Sequence, residues 1–238
     1  MVELSTTTLY AQWKYADVGD DYTEYVVQTT SSYKKTGIYS ATRYSFTSAV
    51  VVDWGDGNAE AIEGDISQLA HEYSSVGVFH VKISNISNFA ASTGNSTWYV
   101  TTSQNRYTFK DIVKTGSKCT TMPNKAFYYC SALSSINFLS SCFTGLTSIP
   151  PSAFYYCSGI TTNLSSLPSR IKTMGNSAFQ YCTGLTGIQD LRNTGLTSLT
   201  DAYIFANCTG VKEFKLPSNI GTTAGNYLFN YDTGLSAI

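Results

Sequence analysis

The chain has 238 residues, and its 42% hydrophobic content is enough to build packed cores in one large domain or two ordinary ones. Lys and Arg number 15 against 16 Asp and Glu, and no basic block runs along the sequence, which argues against nucleic acid or an acidic membrane surface as a partner. Only 13% of residues are charged, about half the usual share, and 18 Tyr join Ser, Thr, Asn and Gly on the polar surface. Extracellular β-rich modules commonly have this composition.

No apolar run approaches the roughly 20 residues that a membrane-spanning helix needs, so we expect no direct membrane insertion. Residues 1–5 lack the basic start and apolar core of a secretory signal. Two interpretations stay open on this evidence alone: a cytosolic protein, or a piece of a longer secreted protein whose signal lies elsewhere.

The first predicted strand lies in residues 6–13 and ends in Leu-Tyr-Ala-Gln-Trp13. This phrase is similar to the closing strand of internalin-type B-repeats, so residues 1–20 are assigned to the tail of such a unit. The other end, Leu235 to Ile238, stops inside a strand phrase without a polar capping repeat. We therefore expect a piece of a longer, secreted, modular protein; a gene that starts and stops here is the alternative.

Two neighbouring strands are predicted next. Residues 49–52 read as a buried strand that runs into a tight turn at Asp53-Trp-Gly-Asp-Gly57, because Asp-Gly supplies the positive φ of such a turn. Residues 79–83 alternate apolar and polar side chains, as a half-buried strand does. Asp53 and Asp56 are candidates for a calcium pair or an acid/base pair, but we favour a turn capped by their side chains, because no acidic loop or Glu cluster accompanies them.

The turn phrase, combined with the Tyr-x-x-x-Gly-x-Phe-x-Val-x-Ile pattern that begins at Tyr73, resembles the PKD-type immunoglobulin-like domain at both of its usual landmarks. The resemblance implies an Ig-like β-sandwich over residues 21–88, with Tyr25-Val-Val and Tyr44-Ser-Phe46 in earlier strands. Such domains are usually spacers or adhesion modules. Residues 89–118 are then a connector or a cap of the next domain.

The remainder, residues 119–238, contains one phrase written five times, the last unit incomplete. Its Phe residues stand at 127, 154, 179, 205 and 229, with separations of 27, 25, 26 and 24 residues. The copies are Met122-Pro-Asn-Lys-Ala-Phe-Tyr-Tyr-Cys130, Ile149-Pro-Pro-Ser-Ala-Phe-Tyr-Tyr-Cys157, Met174-Gly-Asn-Ser-Ala-Phe-Gln-Tyr-Cys182, Asp201-Ala-Tyr-Ile-Phe-Ala-Asn-Cys208 and Gly225-Asn-Tyr-Leu-Phe-Asn-Tyr-Asp232.

Each copy predicts a turn followed by a short strand. Phe and Cys three residues apart fall on the inner side of a helical or 3₁₀ turn, with the two intervening residues outside. The phrase after each Cys alternates apolar and polar residues, as in Ile136-Asn137-Phe138, which is typical of a strand with one buried face. One such unit cannot bury its own apolar stripe, so neighbouring units must stack into a solenoid.

This pattern, Ala-Phe-x-x-Cys-x-x-Leu-x-x-Ile in units of about two dozen residues, resembles the BspA-type leucine-rich repeats over roughly half of the chain. The family is associated with microbial cell-surface proteins and with attachment to host or matrix ligands. Two positions depart from the pattern: Asp232 replaces the Cys of the last copy, and Asn163 stands where a strand Ile is expected.

The cysteines Cys130, Cys157, Cys182 and Cys208 are predicted to form a buried ladder of small side chains, because they stand at equivalent positions one repeat apart. Cys119 and Cys142 are out of phase with this ladder, and whether they form a disulfide is left open. We expect no zinc site, no other metal and no cofactor, because no Cys-x-x-Cys occurs and the chain has two His. The common nucleophile, phosphate-loop and metalloprotease motifs are also missing from the sequence, which favours a non-enzymatic protein.

Two surfaces compete as the binding site. The first is the strand face, with the outward residues Ser135, Asn137, Gln189, Glu213 and Lys215. The second is a column of tyrosines just before the Cys ladder, Tyr129, Tyr156 and Tyr181, with Tyr231 beyond Asn207. Stacked tyrosines supply rigid amphipathic contact area at low entropic cost. The plainer alternatives are an ordinary solvated face for the first surface and packing between neighbouring repeats for the second.

The sequence thus predicts an α+β, mostly β fold: an Ig-like β-sandwich followed by a leucine-rich-repeat solenoid. Its predicted function is adhesion or ligand recognition at a bacterial cell surface, with an extracellular protein or glycan as the partner. The alternative is a structural stalk or a phage virion-associated fibre protein.

Overall fold

The computed structural model describes residues 18–38, 40–43, 49–63, 69–91, 105–221 and 223–238. This part of the chain is mostly β structure, with a short helix, Asn105–Thr108, and 3₁₀ helices at Asn137–Ser140 and Leu164–Ser166. The expected strands at residues 6–13 and at Tyr44-Ser-Phe46 lie outside the described residues. The strands are β1 (Tyr22–Gln28), β2 (Lys35–Ile38), β3 (Ser40–Arg43), β4 (Val50–Asp53), β5 (Ala59–Ile62), β6 (Leu69–Glu72), β7 (Val78–Ser84), β8 (Ile86–Ala90), β9 (Phe109–Lys114), β10 (Ser148–Ile149), β11 (Thr173–Met174), β12 (Gly187–Asp190) and β13 (Val211–Lys215).

The N-terminal part is built on a five-stranded antiparallel sheet in the order β5-β4-β7-β1-β9. Two further antiparallel pairs, β2 with β6 and β3 with β8, accompany it. Val50 and Val52 of β4 are buried, as are Val81 and Ile83 of β7, and Val52 lies opposite Ile83. The prediction that these two strands are neighbours is confirmed.

Strand β9 joins the sheet to the repeats. It lies within residues 89–118, the predicted connector, and pairs along β1 with Phe109 opposite Val27. The buried Phe109 ring lies 5.3 Å from the ring of Tyr25 in the sheet and 5.5 Å from the ring of Phe127 in the first repeat. The core of the sheet therefore continues without interruption into the core of the repeats.

Stacked phenylalanine rings run through the centre of the repeats. Centroid distances between successive rings are 5.3 Å, 5.0 Å, 6.0 Å and 6.0 Å, and successive ring planes are within 20° of parallel. The first four of these rings are fully buried, and the fifth is partly buried. The predicted Phe ladder is thus confirmed; its members are Phe127, Phe154, Phe179, Phe205 and Phe229.

The strands of the repeats differ from the prediction. A short strand precedes the turn, since β10 and β11 pair in parallel just before their Ala-Phe phrases. After the turn, the described residues form strands in the third and fourth repeats, where β12 pairs with β13. The strand predicted at Ile136-Asn137-Phe138 is wrong, because a 3₁₀ helix occupies Asn137–Ser140. The Ser135 hydroxyl accepts a hydrogen bond from the Asn137 N–H, a local bond that competes with strand pairing.

Asn163 explains the same departure in the second repeat. Its side chain caps the 3₁₀ helix by accepting from the Ser165 N–H at 3.0 Å. The same oxygen accepts from Asp190 N, and the amide nitrogen donates to the Ile188 carbonyl on β12. Asn at this position therefore ties the second repeat to the third, which an Ile side chain cannot do.

A backbone ladder joins the turns of successive repeats. At the first junction, the N–H groups of Lys125, Phe127 and Tyr129 donate to the carbonyls of residues 151, 153 and 155 at 2.7–3.0 Å. The same three bonds recur at the next three junctions, at 2.8–3.1 Å. Every donor points towards the following repeat, and every acceptor belongs to that repeat. This arrangement holds the repeats in register.

Candidate ligand-binding surface

The tyrosine column predicted from the sequence forms a continuous stack. The ring of Tyr129 lies 4.7 Å from that of Tyr156 with an interplanar angle of 13°, and Tyr156 lies 5.1 Å from Tyr181 at 32°. Tyr156 is 40% exposed, and the other two rings are partly exposed. The three side chains therefore pack against neighbours and face solvent at the same time. Asn207 follows in the fourth repeat, and Tyr231 in the fifth is 70% exposed.

The backbone explains why this column is regular. Tyr129, Tyr156 and Tyr181 have φ of 64°, 60° and 63°, and Asn207 and Tyr231 repeat the value at 64° and 61°. This left-handed conformation is uncommon for residues with a large side chain. The turn itself closes with the Cys N–H donating to the Phe carbonyl, and the positive φ at its third residue makes it a type II β-turn and not the predicted helical or 3₁₀ turn. The left-handed residue before each Cys then turns its side chain out of the core.

Further tyrosines enlarge this surface beyond the predicted residues. Tyr128 and Tyr155 stack at 4.7 Å with an angle of 9°, beside Tyr129 and Tyr156. A second stacked pair, Tyr203 and Tyr227 at 5.0 Å, stands at the first left-handed position of the fourth and fifth turns. The repeated Tyr-Tyr-Cys phrase was a visible signal for the first pair. No sequence signal predicts that the second pair occupies a left-handed position, because Tyr has no preference for the left-handed conformation.

Gln189 lies on the buried side of β12, so its predicted place on the outer strand face is wrong. We expected it outside and Ile188 inside, but Gln189 is 1% exposed and Ile188 is 46% exposed. The pairing of β12 with β13 shifts register after Gly187, which has φ of 65°, so that Gln189 lies opposite the buried Phe214. A shift of one residue exchanges the two faces of a strand.

The buried amide of Gln189 is hydrogen-bonded through both its nitrogen and its oxygen. Its nitrogen donates to the Thr186 carbonyl at 2.8 Å, and its oxygen accepts from the Leu164 N–H at 3.0 Å. A buried polar group needs such partners to avoid a desolvation cost. Gln189 is therefore a core residue that links the second and third repeats, and it is not available to a ligand.

The other predicted residues of the strand face do not form one cluster. Ser135 and Asn137 flank the start of the first 3₁₀ helix, whereas Glu213 and Lys215 lie on β13 in the fourth repeat. Asn137 is exposed, and the other three are partly buried. This face is thus divided between two repeats with different backbone structure.

Charges gather where β12 meets β13. Asp190 binds Arg192 through a contact of 2.6 Å between Oδ2 and Nη2, with a second bond of 3.0 Å from Nε. The hydrogen bonds from Arg192 lower the pKa of Asp190 to about 2, with smaller help from Lys215. Asp190 and, to a smaller extent, Glu213 raise the pKa of Arg192. Arg192 is exposed and the other three are partly buried, and these groups satisfy one another as on an ordinary solvated face.

In the turn at residues 53–57, the side chains of Asp53 and Asp56 accept hydrogen bonds from the backbone. Asp53 Oδ1 accepts from the Gly55 N–H at 2.9 Å, and Asp56 Oδ1 accepts from the Asn58 N–H at 3.1 Å. The favoured prediction, a turn capped by Asp side chains, is confirmed. Sequence reasoning missed the partner of Asp56, which is His71 Nε2 at 2.8 Å. Burial alone raises the pKa of Asp56, but the bonds from His71 and Asn58 outweigh it, and the net pKa is lowered.

The cysteine ladder lies in the core behind the tyrosine column, and its four members are fully buried as predicted. The thiols of Cys157, Cys182 and Cys208 each donate to the Phe carbonyl of the preceding repeat, at 2.9 Å, 3.1 Å and 3.2 Å. Burial raises the pKa of these thiols, so they stay protonated and unreactive. The out-of-phase Cys119 and Cys142 are free and buried. Among the described residues, no group of His, Cys, Asp and Glu side chains could hold a metal ion.

A family model provides the decisive comparison: that of the BspA type leucine-rich repeat region matches residues 94–236 in six copies. The chain belongs to this family. The match begins upstream of Cys119, and it includes six copies of the BspA-type repeat, one more than the five copies described from the sequence. No curated protein and no solved structure matches the chain.

Membership sets the broad class of function. Proteins with BspA-type repeats are generally surface proteins that bind other proteins, and the family is typically non-catalytic. In the part of the chain that the structure describes, no helix has the length and apolar character of a membrane span. The antiparallel sheet that precedes the BspA-type repeats is present, but the comparisons do not identify it as a PKD-type domain.

Proposed function

We propose that this protein is a non-enzymatic adhesion or ligand-recognition module of a microbial cell surface, which binds an extracellular protein or glycan through its solenoid of BspA-type repeats. The observation that carries the proposal is the tyrosine column, Tyr129, Tyr156 and Tyr181, held at one left-handed position of three successive turns. An exposed row of aromatic residues is a costly surface for a protein that binds nothing.

The chemistry around the column resembles that of known recognition surfaces. Tyr, Ser, Gly and Asn dominate antibody paratopes, because Tyr supplies contact area with few rotatable bonds and the small polar residues supply adaptable hydrogen bonds. Outward positions of these turns are Ser152 and Gln180, followed by Asn207 in the fourth turn. The charged side chains are Lys125, whose Nζ lies 5.5 Å from the ring of Tyr128, and Asp201 in the fourth turn. Such a surface suits a partner with little net charge.

Ring geometry favours a protein over a glycan within this proposal. A sugar ring binds an aromatic side chain by lying flat on an open face. The ring of Tyr156 has a neighbour on both sides, Tyr129 and Tyr181, so its edge and hydroxyl are what remains for a partner. Ring edges and hydroxyl groups pack well against polypeptide in protein–protein interfaces, where Tyr is enriched. We therefore expect a matrix or host protein as the main ligand.

The N-terminal part, residues 21–88, is proposed to be an Ig-like sandwich that acts as a spacer, with residues 89–118 as the connection to the solenoid over residues 119–238. The continuous core from Tyr25 through Phe109 to Phe127 supports a stiff connection. A stiff connection would present the tyrosine column at a constant angle to whatever precedes it.

The test is a binding screen against extracellular-matrix proteins and glycans, with the wild-type chain and the triple variant Tyr129→Asn, Tyr156→Asn and Tyr181→Asn. Asn is the matched replacement, because Asn207 has the same φ in the fourth repeat. We expect the wild type to bind a protein ligand and the folded triple variant to lose at least tenfold in affinity, equivalent to about 1.4 kcal/mol.

The control variant carries Asn137→Ser and Lys215→Ser on the strand face, and it should bind as the wild type does. Loss of binding in this control alone would move the site to the strand face. No binding by the wild type to any ligand would refute the proposal and favour the structural alternative, a stalk or fibre protein.

A further inference from the structure

Asp232 stands in the fifth turn where the four preceding turns have cysteine. The residue is 8% exposed, so the substitution places a carboxyl group inside the ladder of buried thiols. A buried carboxyl group is expensive unless it is neutral or fully hydrogen-bonded. Its surroundings therefore determine what the group does.

The cysteines that Asp232 replaces follow one rule. Each thiol donates to the Phe carbonyl of the preceding repeat, so that Cys157 reaches Phe127, Cys182 reaches Phe154 and Cys208 reaches Phe179. The next acceptor in this series is the Phe205 carbonyl, which already accepts from the Cys208 N–H at 3.1 Å. A carbonyl oxygen has two lone pairs, so Phe205 has room for one more donor from residue 232.

One of the two oxygens of the Asp232 carboxyl group has a hydrogen-bond partner. Its Oδ1 accepts from the Cys208 N–H at 2.6 Å, whereas its Oδ2 is buried without a hydrogen-bond partner. When the carboxyl group is protonated, it can donate to a carbonyl; when it is ionised, it can only accept.

The groups around this carboxyl do not supply a compensating positive charge. On the fourth turn, the neighbouring titratable group is the Cys208 thiol, which is neutral because burial, together with Cys182 and Asp232, raises its pKa. Lys212 is on β13, and its Nζ lies 3.3 Å from the position that a Cβ on Gly234 would take, two residues beyond Asp232. Lys212 is not among the groups that shift the pKa of Asp232. Burial is the largest influence on Asp232 and raises its pKa from 3.8 to about 6 against the hydrogen bonds from Cys208 and Asn207.

We propose that Asp232 is a pH-sensitive latch between the fourth and fifth repeats: its protonated carboxyl donates to the Phe205 carbonyl as the thiols do, and its ionisation loosens the fifth repeat. An acid whose pKa is raised by folding stabilises the folded state most when it is protonated in both states. The stabilisation is therefore complete below the unfolded pKa of 3.8 and is lost as pH rises through about 6.

The experiment is amide hydrogen exchange of the full chain at about pH 5 and about pH 7.5, corrected for intrinsic exchange rates, with residues 225–236 compared with the internal turn at residues 174–182. The two pKa values predict that the opening equilibrium of residues 225–236 increases roughly tenfold over this range. The internal turn should show no such change.

Two variants make the test specific. Asp232→Asn keeps the shape and supplies a neutral donor, and Asp232→Cys restores the ladder; both should abolish the pH-dependent opening of residues 225–236. A wild-type opening equilibrium that stays constant with pH, or that matches Asp232→Asn in its pH dependence, would overturn the latch. So would tighter closure at the higher pH. Ligand binding is not part of the readout, so the latch can fail while the proposed function stands.

Discussion

Replacing Phe179 with Ala removes the middle ring of the Phe ladder. The ring is fully buried and stacks on Phe154 at 5.0 Å and on Phe205 at 6.0 Å. Burial of about 150 Å² of apolar surface at roughly 25 cal/mol per Å² contributes about 4 kcal/mol, most of which the truncation removes. The lost ring contacts and the cavity add to this, so we expect a decrease of about 3–5 kcal/mol in the free energy of unfolding.

The matched control for this variant is Tyr181→Asn, two residues away on the outside of the same turn. Asn adopts the left-handed conformation readily, and Asn207 does so at the equivalent position. We expect this variant to change the free energy of unfolding by less than about 1 kcal/mol. Urea unfolding followed by circular dichroism measures both variants. A larger loss for Tyr181→Asn than for Phe179→Ala would refute the assignment of the inner and outer sides of the turn.

Three further predictions concern residues that join segments. Arg170→Ala should cost about 1–3 kcal/mol, because the guanidinium donates to the carbonyls at the end of the first 3₁₀ helix. Gln189→Glu should cost about 2–4 kcal/mol, because a buried carboxylate cannot donate to Thr186. Gly55→Ala should largely prevent folding, since its Cβ would lie 2.5 Å from the His80 carbonyl oxygen at a φ of +79°. Urea unfolding quantifies the first two, and circular dichroism reports the third.

Each of these predictions has its own control. Arg170→Lys keeps the charge and loses the fork of donors, so it should restore only part of the stability. Gln189→Leu removes both hydrogen-bonding groups and should cost less than Gln189→Glu if burial of charge is the cause. Gly57→Ala has the same left-handed strain at φ of +90° with open space around its Cβ. If Gly57→Ala is as damaging as Gly55→Ala, strain and not the contact with His80 explains the effect.

The repeat was predictable because its signal is made of coupled positions. Phe and Cys recur together and in phase, and burial requires both, so Phe179 and Cys182 were correctly placed in the core. The outer position of Tyr181 followed from the same spacing. Likewise, β4 was recognisable from its run of valines before Asp53, and β7 was recognisable from its alternation of apolar and polar residues, because both signals are local.

The errors arose where backbone conformation overrides the residue pattern. A register shift beside Gly187 exchanges Ile188 and Gln189, and no pattern of period two reveals such a shift. The segment at Asn137–Ser140 reads as a strand, but the hydrogen bond from the Asn137 N–H to the Ser135 hydroxyl and the bonds from the distant Arg170 to carbonyls of the segment favour a 3₁₀ helix. The contacts of Arg170 join residues 28 to 31 positions apart in the sequence and depend on the stacking of the repeats.

The direction of the backbone ladder has a consequence for how such proteins change length. Each turn offers three donors on one side and three acceptors on the other, at positions that keep their geometry from repeat to repeat. Any complete unit can therefore follow any other, and the removal or duplication of a unit leaves two edges that still match. Evolution can vary the extent of the tyrosine surface by changing the number of units, with no new joint to invent.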